Sequence, residues 1–234
     1  MDIHKPKPWH GWREFLKEIG TIVIGVLIAL GAEQVVEWLH WQEKVEQGER
    51  QERVELTGLY GVAKERATVE PCLDRRLANL SDALLDGDGA WRPLPPMNVG
   101  GDPVAFWAPV RLWGAEVWKT LADGTASHLG GERELLYEHV YVQVTSVAEA
   151  NAAESGEVQG LGILGRETVL TRPERNQLVA QIERERTRNA YAALSSRQLM
   201  AKIEKVTQVD QARVAAFLKS SPVRVACEKL ELLK

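Results

Sequence analysis

The amino-acid sequence predicts an all-α protein, with one N-terminal transmembrane helix that continues into a stalk, followed by a bundle of approximately four helices. Three observations predict this class. A charge-free apolar run lies near the N-terminus, and apolar residues recur at spacings of three and four through most of the later chain. Strictly alternating, strand-like segments are nearly lacking, and only short pieces such as VYVQV at residues 140–144 are ambiguous.

The transmembrane helix is predicted over residues 19–40. Residues 19–32 carry no charge, but these fourteen residues span only about 21 Å as a helix, less than the hydrocarbon core. Continuing the helix to Leu39 gives twenty-one residues and about 31 Å, which is long enough to cross. Trp12 lies before the run, and Trp38 and Trp41 lie at its end, as expected for an interfacial aromatic belt.

The flanking charges predict the orientation of this helix. Residues 1–18 contain four basic residues, whereas residues 33–50 contain only two, together with five glutamates. Because basic residues are retained on the cytoplasmic side, residues 1–18 are predicted to be a cytoplasmic amphipathic lead and the bulk of the chain to be exported. A cleaved signal peptide, with Ala29-Leu30-Gly31 as its small-residue site, and a buried core helix are the alternatives.

One strip of the predicted helix carries small and polar residues at every fourth position. Its members are Thr21, Gly25, Ala29 and Glu33. Small residues at this spacing allow two helix backbones to approach closely in lipid, and an acid near the hydrocarbon edge favours a polar partner. We interpret the strip as a transmembrane helix-packing interface. The alternative is ordinary membrane-helix composition, with Glu33 at headgroup level.

The exported part begins with a predicted helical stalk, residues 41–55, whose charged run is interpreted as solvated surface. An all-α domain is predicted over residues 56–234. Apolar periodicity and chain breakers predict its helices near residues 54–63, after Pro71 to about Gly87, at 112–121, at 132–158, and from Thr171 to about Ser221. Thr171 and Glu174 form a capping-box pattern, and residues 87–104 are predicted to be an irregular loop.

The two cysteines, Cys72 and Cys227, both lie in the part predicted to be exported. An even cysteine count on an oxidising side favours a disulfide. Such a bridge would close a loop of about 155 residues, which chain-entropy models credit with several kcal/mol. The alternative is two buried thiols.

A search for catalytic or metal-binding patterns identifies no candidate residues. The five histidines include no His-x-x-x-His pair, and two cysteines cannot form a closed zinc site. The glycines of residues 160–165 lack a preceding strand and a P-loop lysine. Arg75-Arg76 and the RERTR run at 184–188 are interpreted as solvated helix faces, with an anion site as the alternative. No cofactor or metal is predicted.

Two segments carry a resemblance. HGWREFLKEIGTIVIGVLIALGAEQVVEWLHW (residues 10–41) is similar to the opening of a group of uncharacterised bacterial single-pass inner-membrane proteins, and PCLDRRLANL (residues 71–80) is similar to a segment that follows that opening. The resemblance covers about the first 85 residues. It implies a bacterial inner-membrane location, a cytoplasmic N-terminus and a helical periplasmic domain, and it brings no catalytic residues.

The sequence therefore predicts a non-enzymatic, membrane-anchored periplasmic helical protein that acts through protein–protein contacts. Its expected partners are the lipid bilayer and an integral membrane protein or a second copy of the chain, as in an accessory subunit of a larger inner-membrane complex. No nucleic acid is expected, because a net charge of −4 gives no concentrated basic surface. The alternative is a periplasmic ligand-binding or sensory bundle that signals through a membrane partner.

Overall fold

A computed structural model describes residues 11–87, 89–122 and 124–232, and its architecture confirms the all-α class. The helices are α1 (Trp12–Asp86), α2 (Glu116–Ala122), α3 (Gly131–Val158), α4 (Arg172–Val206), α5 (Gln211–Lys219) and α6 (Pro222–Lys229). Short strands are β1 (Ala90–Trp91), β2 (Met97–Val99), β3 (Asp102–Val104) and β4 (Thr168–Val169). The chain divides into two compact units, Met1–Gln47 and Gly48–Lys234. The predicted cytoplasmic lead falls partly outside the described residues, since the description begins at Gly11.

Helix α1 continues through Pro71, where the sequence predicted a boundary between two helices. An interior proline costs a helix about 3 kcal/mol, because it lacks an N–H and crowds the preceding turn. Here the neighbouring side chains of Val69, Cys72 and Leu73 are all fully buried. Burial of this apolar face offsets the local cost and keeps the helix continuous.

The second unit, which begins at Gly48, contains two groups of buried apolar side chains. One group surrounds Leu73 and Leu77 of α1 and includes Ile182 of α4 and Leu164. The other group surrounds Leu56 and Tyr60 of α1 and includes side chains of α3 and α4: Tyr137, Val140, Tyr141, Leu199 and Ile203. Helices α1, α3 and α4 thus supply most of the core.

Local capping explains where the C-terminal helices begin and end. The predicted capping box is present, because Glu174 N donates to Thr171 Oγ1 and Thr171 N donates to Glu174 Oε2. The sequence predicted one helix from there to about Ser221, but α4 ends at Val206. Asp210 and Ser221 each accept a hydrogen bond from a backbone N–H three residues later, and so start α5 and α6.

The segment predicted as an irregular loop contains three short strands: β2 pairs with β3 inside it, and β1 pairs with the distant β4, both pairings antiparallel. Trp91 is buried at one of them, and its indole Nε1 donates to the carbonyl of Leu164 at 3.1 Å. Met97 and Val99 add apolar side chains to the first core group. The ambiguous VYVQV piece is helical and lies within α3.

Candidate functional site

The apolar part of α1 is exposed on all sides in the first unit. The large apolar side chains from Ile19 to Leu39 are 40% to 67% exposed, and they lie on every face of the helix. This segment is long and apolar enough to cross a membrane. Apolar surface of this extent marks a segment that is covered by lipid or by another protein, and a signal sequence near the N-terminus has the same composition.

The predicted strip of Thr21, Gly25, Ala29 and Glu33 lies along this exposed helix. The Thr21 hydroxyl donates to the carbonyl of Lys17 at 2.9 Å, which satisfies it within the helix. Gly25 has no side chain and Ala29 has a single methyl group, the small-residue pattern that allows close helix approach in lipid. Its function as an interface remains a prediction.

The three predicted belt tryptophans lie at the two ends of the apolar segment. Trp12 and Trp38 are 73% and 58% exposed, whereas Trp41 is partly covered. The Lys44 ammonium lies 4.6 Å from the centre of the Trp41 ring, a cation–π arrangement. An aromatic ring beside a lysine is suited to the headgroup region.

Cys72 and Cys227 form a disulfide that joins α1 to α6. Their Cα atoms are 6.0 Å apart, and both residues are fully buried. The bridge lies in the first core group, where it attaches the end of the chain to the longest helix.

A buried acid–tyrosine cluster, consisting of Glu52, Glu55 and Tyr141, joins α1 to α3. The Tyr141 hydroxyl lies 2.5 Å from Glu52 Oε2 and 2.6 Å from Glu55 Oε1. Burial raises the pKa of Glu52 to about 7. The hydrogen bond with Tyr141 opposes this shift, and the nearby Glu55 charge adds to it. Burial and both carboxyls also raise the pKa of the Tyr141 hydroxyl, which therefore remains protonated.

Helix α2 packs over this cluster. The backbone N–H of Val117 donates to Glu55 Oε2 at 3.1 Å, and the Trp118 ring stacks on both Tyr137 and Tyr141, with centroids 5.6 and 5.5 Å apart. Leu121 occupies the space left by the missing side chain of Gly48. The sequence placed residues 48–55 in a solvated stalk, but Gly48 and Glu52 are buried. Leu121 of α2 lies against Gly48, and Tyr141 of α3 bonds to Glu52.

A second set of buried charges, the ion cluster, consists of Arg66, Glu154, Glu185 and Asn189. Arg66 Nη2 forms an ion pair with Glu154 and donates to Asn189 Oδ1 at 2.7 Å. Both carboxyl oxygens of Glu185 are buried without a hydrogen-bond partner. Burial, and then the charge of Glu154, raise the pKa of Glu185 to about 8, although Arg66 opposes the shift.

The arginines interpreted as solvated faces include one that is buried. Arg76 is 4% exposed, and its Nε donates to the carbonyl of Ala105 at 2.7 Å. Arg186 remains on the surface and pairs with Asp74 at 2.8 Å. Sequence reasoning missed Arg76, Glu52 and Glu185 because each lies in a locally polar stretch, where surface exposure is the usual outcome.

A groove of about 360 Å³ lies next to the acid–tyrosine cluster and includes residues of α1 and α5. Gly58 and Gly61 of α1 contribute backbone to it, and Phe217 of α5 and Leu112 contribute apolar side chains. Leu112 is 95% exposed, which is unusual for a leucine of a folded domain.

The chemistry available to these groups is limited. Within residues 11–87, 89–122 and 124–232, no group of three or more histidine, cysteine, aspartate or glutamate side chains is placed to hold a metal ion. Both buried clusters can instead bind and release a proton near neutral pH, since each contains a carboxyl with a raised pKa. Comparison with protein-family models, with curated proteins and with solved structures finds no match.

Proposed function

We propose that the protein is a single-pass inner-membrane protein, with a cytoplasmic N-terminus and a helical periplasmic domain, that acts through protein contacts without catalysing a reaction. The observation that carries the proposal is the exposed apolar segment of α1, next in sequence to a domain with its own closed core. Lipid would cover the segment, and the domain would be held at the membrane surface.

The proposed contact with a membrane partner is the strip of Thr21, Gly25, Ala29 and Glu33. Helices in lipid associate through close packing and hydrogen bonds, because apolar burial gives no advantage there. Gly25 and Ala29 carry too little side chain to hold a neighbouring backbone away, and the Glu33 carboxyl supplies an acceptor. We infer that the chain is an accessory subunit of a larger membrane complex.

Membrane integration and orientation are tested first. Carbonate-washed membranes are expected to retain the full chain, and trypsin added to spheroplasts is expected to degrade the domain while sparing the lead. Release by carbonate, or protection of the domain in intact spheroplasts, would refute the anchor or its orientation.

The partner contact is tested with full-length variants purified in mild detergent. Gly25→Leu fills the strip, and Glu33→Gln removes its charge. Each variant is expected to reduce the recovered amount of partner, or of oligomer, about tenfold, which corresponds to a coupling free energy of about 1.4 kcal/mol. Gly31→Leu is the matched control, because Gly31 lies about 140° from the centre of the strip. A wild-type protein that is strictly monomeric and free of partners contradicts the proposal.

A periplasmic ligand-binding or sensory bundle is the second candidate, and the groove beside Gly58 and Phe217 favours it. Native mass spectrometry of the purified full chain distinguishes the two candidates. A small molecule retained in stoichiometric amount supports the second, whereas a bound protein supports the first.

A further inference from the structure

Helix α2 is attached to the rest of its unit by few contacts. It has seven residues, and Leu121 is the only one that is buried. Its attachments to α1 and α3 include the Trp118 stack and the hydrogen bond from Val117 N to Glu55. A segment with so little buried surface opens at low free-energy cost, so each of these contacts matters to its position.

The acid–tyrosine cluster needs one more proton than the tyrosine supplies. The Tyr141 hydroxyl has a single hydrogen and lies within hydrogen-bond distance of both Glu52 and Glu55. That hydrogen can be donated to only one of the two carboxylates. If both were ionised, the second carboxylate would receive no hydrogen from Tyr141. A proton on one carboxyl resolves the conflict.

The positions of the donors decide which carboxyl holds this proton. Glu55 accepts from two donors, the Tyr141 hydroxyl on one oxygen and the Val117 N–H on the other. Glu52 is fully buried, and its Oε1 has no partner. When Glu52 is neutral, its own hydrogen can be donated to the Tyr141 oxygen instead, while Tyr141 donates to Glu55 and Glu55 accepts from Val117 N–H. The hydrogen bonds then run without conflict from α1 to α2.

We propose that α2 is a strap held closed by this one proton, and that its loss from Glu52 releases α2 and exposes the rings of Tyr137 and Tyr141 that Trp118 covers. Once Glu52 is ionised, it competes with Glu55 for the Tyr141 hydrogen. The Glu55 carboxylate then loses its fixed position and, with it, its hold on the Val117 N–H. Because the pKa of Glu52 is raised from 4.5 to about 7 while α2 is closed, the release develops as pH rises from about 4.5 to about 7.

Two ion pairs lie on the elements around the acid–tyrosine cluster. On α1 and α3, Glu49 and Arg133 form an ion pair at 2.9 Å beside Tyr137. On α2, Glu116 and Lys119 pair at 3.1 Å, and both are exposed. The charge that acts on Glu52 is that of Glu55, and it opposes ionisation of Glu52.

Hydrogen exchange of the full chain in detergent micelles, followed by mass spectrometry and corrected for the intrinsic rate at each pH, tests the strap. Protection of peptides covering residues 115–122 is expected to fall between pH 5 and pH 7.5, by at most about 60-fold if opening returns the pKa of Glu52 from about 7 to its ordinary value of 4.5. Peptides from α3 and α4 are expected to remain more protected than α2 at every pH, because α2 opens without them. Equal protection of α2 and those helices would mean that α2 exchanges only by global opening and would overturn the proposal.

Three variants make the test specific. Glu52→Gln keeps a hydrogen-bond donor toward Tyr141 at every pH, so its α2 protection is expected to be independent of pH. Tyr141→Phe breaks the chain of hydrogen bonds and is expected to lower α2 protection at both pH values. Glu138→Gln, at an exposed position of α3, is the control and is expected to behave like the wild type. A pH-dependent loss in Glu52→Gln as large as in the wild type refutes the strap.

Discussion

Substitution of Glu185 by glutamine is expected to stabilise the protein in alkaline solution while leaving it unchanged near pH 5. Glu185 is 0% exposed, and neither of its carboxyl oxygens has a hydrogen-bond partner. Glutamine matches the shape of the neutral acid but cannot ionise. The comparison therefore isolates the cost of a buried charge.

The size and sign of the effect follow from the pKa of Glu185, which is raised from 4.5 to about 8 in the folded protein. The native state holds the proton more tightly than the unfolded chain. The contribution of Glu185 to stability is therefore fully present below pH 4.5 and is lost as pH rises to about 8. A difference of about 3.5 pKa units at 1.36 kcal/mol each corresponds to about 5 kcal/mol, so Glu185→Gln should exceed the wild type by about 3–5 kcal/mol at pH 8.5.

The measurement is denaturant unfolding of the full chain in micelles, with the disulfide intact, at pH 5 and at pH 8.5. Glu52 also titrates in this range, but it is present in both proteins and cancels in the difference. Glu138→Gln serves as the exposed control. If the wild type and Glu185→Gln differ by the same amount at both pH values, Glu185 does not titrate as described and the reasoning is wrong.

Two further substitutions test other parts of the domain. Arg66→Met removes the cation that pairs with Glu154 and leaves a buried charge behind. This is expected to lower the free energy of unfolding by about 3–5 kcal/mol at pH 8. The exposed control Arg197→Met should change it by less than about 0.5 kcal/mol. An equal effect of the two arginine variants would show that the ion cluster is unimportant. Replacing Cys72 and Cys227 together by serine opens a loop of 155 residues and is expected to cost about 2–5 kcal/mol, as should reduction of the wild type. Recovery of two free thiols from the untreated protein would contradict the bridge.

Features that depend on local pattern were accessible from the sequence. The capping box at Thr171 and the long helix near residues 132–158 are both present, because hydrogen bonds and side-chain contacts within a helix join residues three or four apart. The start of α5 at Asp210 was missed, although its signal is local. Asp210 is a strong N-cap residue, but continuous apolar periodicity masked the break.

Continuity of α1 through Pro71 could not be inferred in the same way. Local propensity places a helix boundary at an interior proline, and only burial of the surrounding side chains reverses that preference. The short pairing of β1 with β4 joins residues almost eighty positions apart, and two-residue strands leave no periodic trace.

By itself, the sequence determined the helical class and the exposed apolar segment of α1, because hydrophobic period and run length are properties of neighbouring residues. Only the tertiary structure decided that Glu52 and Glu185 are buried in polar stretches, and that Tyr141 connects two acids of α1 to a distant helix. Burial of a charge depends on which elements pack around it, and the hydrogen bond between Tyr141 and Glu52 joins residues 89 positions apart. The raised pKa values, and the proton-dependent behaviour expected from them, follow from this packing.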